Sequence, residues 1–220
     1  MSGAFRAAVF GASGAIGRAI VEALRADLAF GEVLPCSRSG EGHVRFDLTD
    51  EASIAAACAE LARGGPLDLV FVATGMLYEA GGVQPEKALR SLDPAALQRA
   101  YAVNAVGPML IAKHAVPLLS RERRAVFAAL SARVGSIADN RLGGWHSYRA
   151  SKAALNMLLR NLAIELARTH PKAVVAALHP GTVDSALSRP FQRGLRDGQL
   201  VEPTTAAARL RTGWPSCSTA

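Results

Sequence analysis

Along the chain, short unbroken apolar runs alternate with stretches in which apolar residues recur every three or four positions. Six runs have strand length: Ala4–Phe10, Glu32–Cys36, His43–Phe46, Leu67–Ala73, Ala125–Ser131 and Ala173–Leu178. Between them the spacing predicts a helix from about Ala15 to Phe30 and another capped by Thr49 or Asp50 that runs through Ala62. The span Ser91–Ser120 reads as helical in two pieces, Ser147–Thr169 as one long helix, and Glu202–Leu210 as a short one. Strands recurring between helices imply a parallel sheet covered on both faces, and strands buried on both faces are apolar throughout. The expected fold is a doubly wound α/β domain with its ligand crevice at the carboxyl ends of the strands. No repeat, low-complexity tract or linker divides the sequence, so residues 1–220 read as one domain.

Composition narrows the function classes. Half of the 220 residues are hydrophobic and a fifth are charged, which excludes wholesale disorder. No apolar run reaches the roughly 18 residues of a membrane-spanning helix. The start, Met1–Leu24, is broken by Gly11, Gly14 and Gly17 and does not read as a signal peptide. Cys36, Cys58 and Cys217 lack metal-ligand spacing and read as free thiols. The cytoplasm is the expected compartment. A net charge of +7 raises the question of nucleic acid, but the arginines are scattered along the chain. The densest cluster, Arg121, Arg123 and Arg124, encloses Glu122 and reads as a solvated turn. Neither nucleic acid nor membrane is an expected partner. A basic surface does favour an anionic cofactor through electrostatic steering.

Three groups of residues carry chemistry. Gly11-Ala12-Ser13-Gly14-Ala15-Ile16-Gly17 lies between the first strand and first helix, where glycines let backbone approach a pyrophosphate at a helix N-terminus. The second strand ends Ser37-Arg38-Ser39, where a site for NAD usually carries an acid. A guanidinium and two hydroxyls suit a 2′-phosphate, so NADP is expected over NAD. Tyr148 and Lys152 stand four apart on the long helix and share a face. An ammonium beside the phenol is expected to lower its pKa towards the range useful for proton transfer.

With Asn104 on an earlier helix, these motifs resemble the short-chain dehydrogenases/reductases over roughly residues 4–190. That resemblance implies a Rossmann fold in which Gly11, Ser13, Gly14, Ile16 and Gly17 form the cofactor loop. It places Asp47 and Leu48 at the adenine, Ala73, Thr74 and Gly75 after strand four, and Pro180, Gly181, Val183 and Ser185 near the nicotinamide carboxamide. It makes Tyr148 the proton donor and gives Lys152 the nicotinamide ribose. Asn104 would hold a relay water. The stretches Arg133–Asn140 and Gly143–Arg149 are similar to the branch of C-factor and Sniffer-type carbonyl reductases. The activity implied is NADP(H)-dependent interconversion of a small-molecule carbonyl and alcohol, in a homodimer or homotetramer. A cofactor-binding regulatory protein with little or no catalysis is the alternative.

The sequence departs from the family pattern in four places. Ala15 stands where the family loop has its middle glycine, and Ala73-Thr74 replaces part of a polar segment. The branch ends strand five in two serines, the second donating to the substrate carbonyl, whereas this chain reads Ser131-Ala132. Ser131 is retained as a catalytic candidate, although strand alternation turns it the other way unless the chain kinks. Ser136, on the following loop, is a second candidate. Residues 203–220 form an atypical tail without the β-type run that completes the family sheet, so the sheet is expected to lack its last strand or to be truncated there.

Overall fold

In the computed structural model, which describes residues 4–79, 84–211 and 214, the first apolar run becomes β1 (Phe5–Phe10). It is followed by α1 (Ala15–Arg25), β2 (Phe30–Ser37), β3 (Val44–Arg45), α2 (Glu51–Ala62) and β4 (Leu69–Val72). Then come α3 (Pro94–Tyr101), α4 (Gly107–Ala115), β5 (Ala125–Leu130), α5 (His146–Thr169) and β6 (Ala173–Leu178). β7 (Thr182–Val183), β8 (Leu200–Val201) and α6 (Pro203–Leu210) complete the described elements.

The main sheet has the order β3-β2-β1-β4-β5-β6 with every pair parallel. Strand order reverses beside β1, which opens a crevice at the carboxyl ends of β1 and β4. Alternate residues serve opposite faces. Ala7, Val9, Leu69 and Phe71 pack under α1, α6 and Trp214, while Ala8, Phe10, Val70 and Val72 pack under α2, α4 and α5. The expected doubly wound architecture is therefore the one observed.

Local boundaries differ where side chains intervene. α1 stops at Arg25 rather than Phe30, because Asp27 turns the chain: its side chain accepts the Ala29 N–H at 3.0 Å and its carbonyl the Phe30 N–H at 2.9 Å. Of the two cap candidates for α2, Asp50 accepts the Ala52 N–H at 2.9 Å. The two helical pieces in 91–120 are joined by a π turn over Ala102–Val106, whose extra residue per turn carries Asn104 into the fully buried interior.

Among the described residues no seventh strand pairs with β6. A separate parallel pair, β7 with β8, matches Thr182 to Leu200 and Val183 to Val201. Part of the atypical tail is packed structure, since α6 lies on α1 and the Trp214 ring sits 5.5 Å from that of Phe71. Residues 212–213 and 215–220 lie outside the described residues. At the opposite end of the sheet from the crevice, fully buried Asp68 accepts the Arg6 N–H at 2.8 Å and two Arg123 nitrogens at 2.5 and 2.8 Å. This arginine of the basic cluster is thus turned inward. No helix among the described residues is long and apolar enough to cross a membrane, and no cluster of His, Cys, Asp or Glu among them is suited to a metal ion.

Candidate functional site at the sheet crevice

The glycine loop is tight for steric reasons that admit only hydrogen at two positions. Gly11 has φ +86°, and a Cβ there would lie 3.1 Å from the Ala73 carbonyl carbon and from Thr74 Cγ2. A Cβ on Gly17 would stand 2.2 Å from the Gly11 carbonyl oxygen. Gly14 caps α1 in an extended conformation without a side-chain cap, so the first-turn N–H groups face the crevice with the positive end of the helix dipole. Ala15 is the first helical residue with ordinary negative φ, so its methyl needs no special backbone. Ser13 is exposed at the mouth, and Ile16 packs against Val183, Val201 and Ala206. That contact ties the loop to the segment after β6.

The end of β2 differs from the sequence expectation. Ser37 is buried, and its hydroxyl donates to the Ser39 carbonyl and meets His43 Nδ1 at 2.7 Å, so it is already committed inside the protein. Arg38 is exposed, and its carbonyl accepts from Arg45. Beside them opens a cavity of about 440 Å³ lined by Ser13, Arg18, Glu22, Arg25, Ser39 and His43. Burial, followed by the charges of Arg25, Arg45 and Arg18, holds the His43 pKa below its usual value. These cations escape a motif search because they come from α1, β3 and a loop. Arg18 and Arg25, seven apart on one helix face, were the available signal.

Asp47 accepts both the Thr49 N–H and hydroxyl at 2.8 Å, which holds its carboxyl below the usual range, and Leu48 packs beneath Gly107. After β4, the Ala73 N–H continues the sheet by donating to the Phe10 carbonyl. Thr74 Oγ1 is buried and has no hydrogen-bond partner among the described residues. A Cβ on Gly75 would lie 3.5 Å from Lys152 Nζ and 3.6 Å from Asn104 Oδ1, so Gly75, Lys152 and Asn104 converge. The Asn104 amide accepts the Met76 N–H and donates to its carbonyl, both at 2.8 Å, and reaches Ser151 Oγ at 3.1 Å.

Lys152 is 3% exposed, and its ammonium donates to the Leu130 carbonyl at 2.9 Å. Burial lowers its pKa to about 8 and raises that of Tyr148 to about 12. The expectation that the ammonium lowers the phenol is therefore corrected for this state: exclusion of water decides the sign. The Tyr148 ring meets Trp145 at 6.3 Å, Trp145 meets Phe191 at 5.3 Å, and Phe191 meets Tyr78 at 5.8 Å. An aromatic wall thus bounds the crevice beside the phenol.

Each serine candidate has an engagement of its own. The Ser131 hydroxyl donates to Asn156 Oδ1 at 2.6 Å, a partner two turns, or about 12 Å along the axis, beyond Tyr148. Ser136 lines a separate cavity of about 280 Å³ bounded on α5 by His146, Arg149, Ala150 and Ala153. That face lies roughly 130° around the helix from Tyr148 and Lys152. Gly181, at φ +81°, follows Pro180 after β6, and Ser185 exchanges hydrogen bonds with Ser188.

A family model described as short chain dehydrogenase matches residues 6–195. The chain belongs to the short-chain dehydrogenase family. It is accordingly an oxidoreductase with a nicotinamide-cofactor fold. Over 167 residues it is 33% identical to 1-hydroxy-2-glutathionyl-2-methyl-3-butene dehydrogenase of Rhodococcus sp. (strain AD45), covering 74% of this chain and 67% of that one. Over 148 residues it is 34% identical to C-signal of Myxococcus xanthus, covering 67% and 80% of the two chains. The NADPH-bound carbonyl reductase from chicken fatty liver superposes with a TM-score of 0.78 at 25% identity, over 93% of this chain and 84% of that one. The C-signal relative agrees with the branch anticipated from Arg133–Asn140 and Gly143–Arg149.

Proposed function

We propose that the protein is an NADP(H)-dependent reductase that interconverts a small-molecule carbonyl and its alcohol, with Tyr148 exchanging the proton. The observation that carries this reading is the convergence of the buried Lys152 ammonium, Asn104 and Gly75 at the crevice, one helical turn from the Tyr148 phenol. The crevice fits a dinucleotide on its own evidence. Gly11 and Gly17 let the turn close tightly at the N-terminus of α1, and the buried Thr74 hydroxyl, which has no partner among the described residues, is a donor a polar ligand group would satisfy. Gly11, Ser13, Gly14, Ile16 and Gly17 would hold the pyrophosphate. Asp47 and Leu48 would hold the adenine, and Thr74, Gly75 and the Pro180–Ser185 segment the nicotinamide half. Arg18, Arg25 and His43, which line the cavity beside Ser13, favour a 2′-phosphate over a bare ribose, and exposed Arg38 at the end of β2 would add to them.

The bound nicotinamide supplies the hydride chemistry. The protein's own part is proton transfer, charge and alignment. A phenol held well above its ordinary pKa is protonated at neutral pH, the form that donates to a developing alkoxide. Lys152, fixed on the Leu130 carbonyl beside Gly75, would bring a cation to the ribose site one helical turn from Tyr148. Asn104 holds the loop after β4 through Met76, which keeps Gly75 open. The experiment is turnover of p-nitrobenzaldehyde with NADPH by the wild type and Tyr148→Phe. Loss of about 10²–10⁴-fold in kcat, with NADPH binding intact, is expected; equal rates refute the role.

A second reading, a cofactor-binding regulatory protein with slow chemistry, draws on Ala132 and on the Ser131 hydroxyl being tied to Asn156. Removing such a donor typically lowers kcat by about 10²–10³. NADPH binding with no turnover of an aldehyde and diketone panel would favour it.

A further inference from the structure

Three residues ahead of Tyr148 the backbone is in an unfavourable conformation. Gly143 and Gly144 both have φ +64°, and Trp145 follows at φ +50°, the sole non-glycine residue with positive φ among the described residues. A bulky side chain in the left-handed region persists only where its surroundings impose it. Trp145 also caps α5 without a side-chain cap, and the first turn of α5 carries no acid of its own. Both deficits are met by one residue from a distant segment. The Glu86 carbonyl accepts the Trp145 N–H at 2.5 Å. Its carboxylate accepts the Ser147 N–H at 3.1 Å through Oε2 and the Ser147 hydroxyl through Oε1, across 61 positions of sequence. Glu86 is 4% exposed and Ser147 3%. Gly144 completes the packing, since a Cβ there would meet the Glu86 and Lys87 carbonyl oxygens at 3.5 and 3.6 Å.

We propose that Glu86 is a positioning residue for the reaction: it clamps Trp145 and Ser147, and through them sets the direction in which Tyr148 leaves the first turn of α5. The inference rests on the reading of Tyr148 as proton donor. The clamp holds Ser147, which directly precedes Tyr148, and Trp145, whose ring packs on the Tyr148 ring. A carboxylate at a helix N-terminus also satisfies N–H groups that otherwise lack partners there. Burial, the largest single effect, opposes its ionisation, but the bonds from Ser147, the bond from its own backbone N–H and the charge of His146 together hold the Glu86 pKa below its usual value.

The test uses p-nitrobenzaldehyde and NADPH with Glu86→Ala, Glu86→Gln and Ser147→Ala. Displacing a proton donor by about 1 Å lowers rates by up to about 10², so Glu86→Ala is expected to lose about 30-fold in kcat with KM for NADPH unchanged. Glu86→Gln keeps an acceptor for the Ser147 N–H and should recover to within about threefold of wild type, since shape and bonding carry the effect. Ser147→Ala removes one arm alone and decides the matter if Glu86→Ala does not fold. A fall of about fivefold in kcat at constant KM supports the clamp, and an unchanged kcat overturns it. A Glu86→Gln variant as slow as Glu86→Ala, or a loss that falls on KM for NADPH, also overturns it. Hydrogen exchange of the amides of residues 145–149, read by mass spectrometry, reports the clamp without turnover. A wild type that reduces nothing therefore sinks the proton-donor reading, while exchange no faster in Glu86→Ala than in wild type sinks the clamp.

Discussion

Replacing Lys152 with methionine should make the folded protein more stable at pH 7 while abolishing its chemistry. The ammonium is 3% exposed, has one carbonyl partner among the described residues, and is lowered by burial from 10.5 to about 8. At about 1.4 kcal/mol per tenfold change in proton affinity, that displacement amounts to about 3 kcal/mol of destabilisation wherever both folded and unfolded chains carry the proton. Methionine fills the same channel without charge but leaves the Leu130 carbonyl unpaired, which costs about 1 kcal/mol. The net expectation at pH 7 is about 2 kcal/mol in favour of Lys152→Met, or about 4–8 °C in Tm for a domain of this size. The sign with pH follows from the lowered value. Below pH 8 the penalty is complete; between about 8 and 10.5 the folded state releases its proton first, and wild-type stability climbs. The advantage of Lys152→Met should therefore shrink by about 2 kcal/mol between pH 7 and 9.5. Urea unfolding of both proteins at pH 7, 8.5 and 9.5 measures the difference, in which other titrating groups cancel. A methionine variant less stable than wild type at pH 7, or a gap that stays constant with pH, would refute the account.

Two further expectations concern the cofactor crevice. Gly17→Ala drives a methyl to 2.2 Å from the Gly11 carbonyl, so the loop must open; NADPH affinity should fall at least about tenfold, or about 1.4 kcal/mol, by calorimetry. Arg18→Ala and Arg25→Ala remove cations from the cavity beside Ser13. Each should weaken 2′,5′-ADP by about 1.5–3 kcal/mol and leave 5′-AMP unchanged, whereas equal losses on both nucleotides would place the 2′-phosphate elsewhere.

Local patterns announced the elements that depend on local forces. Six apolar runs marked the parallel strands, most clearly where a strand is covered on both faces, as β5 is over Ala125–Leu130; edge strand β6 kept an apolar run although it is only partly covered. The Tyr148–Lys152 spacing and the glycine loop were visible because a helix and a tight turn each fix a face or a φ over a few residues. Long-range partners were not visible. Ser131 looked available until Asn156 claimed it. Ser37 looked like a phosphate ligand, yet it faces His43. Glu86 carries no motif at all, and only the packing of residues 86–87 on Gly144 brings its carboxylate to Ser147.

The same division explains why the electrostatic expectation failed although the residues were the right ones. A helix places Lys152 near Tyr148 whatever surrounds them, and in water a cation there would stabilise the phenolate. What decides the outcome is how much solvent the fold removes and where the ammonium points. Lys152 is buried and drawn to the Leu130 carbonyl at the end of β5, Tyr148 is half-buried, and burial pushes each group towards its neutral form. That state suits reduction, because a protonated phenol donates, and it leaves the ammonium poised near neutrality to respond when anionic groups enter the crevice. A chain that held the pair in water would instead lower Tyr148 and leave Lys152 near its ordinary value. Ultraviolet titration of wild type against Tyr148→Phe separates the two cases: a phenol that ionises only near pH 12 agrees with burial, and one that ionises below 10 does not.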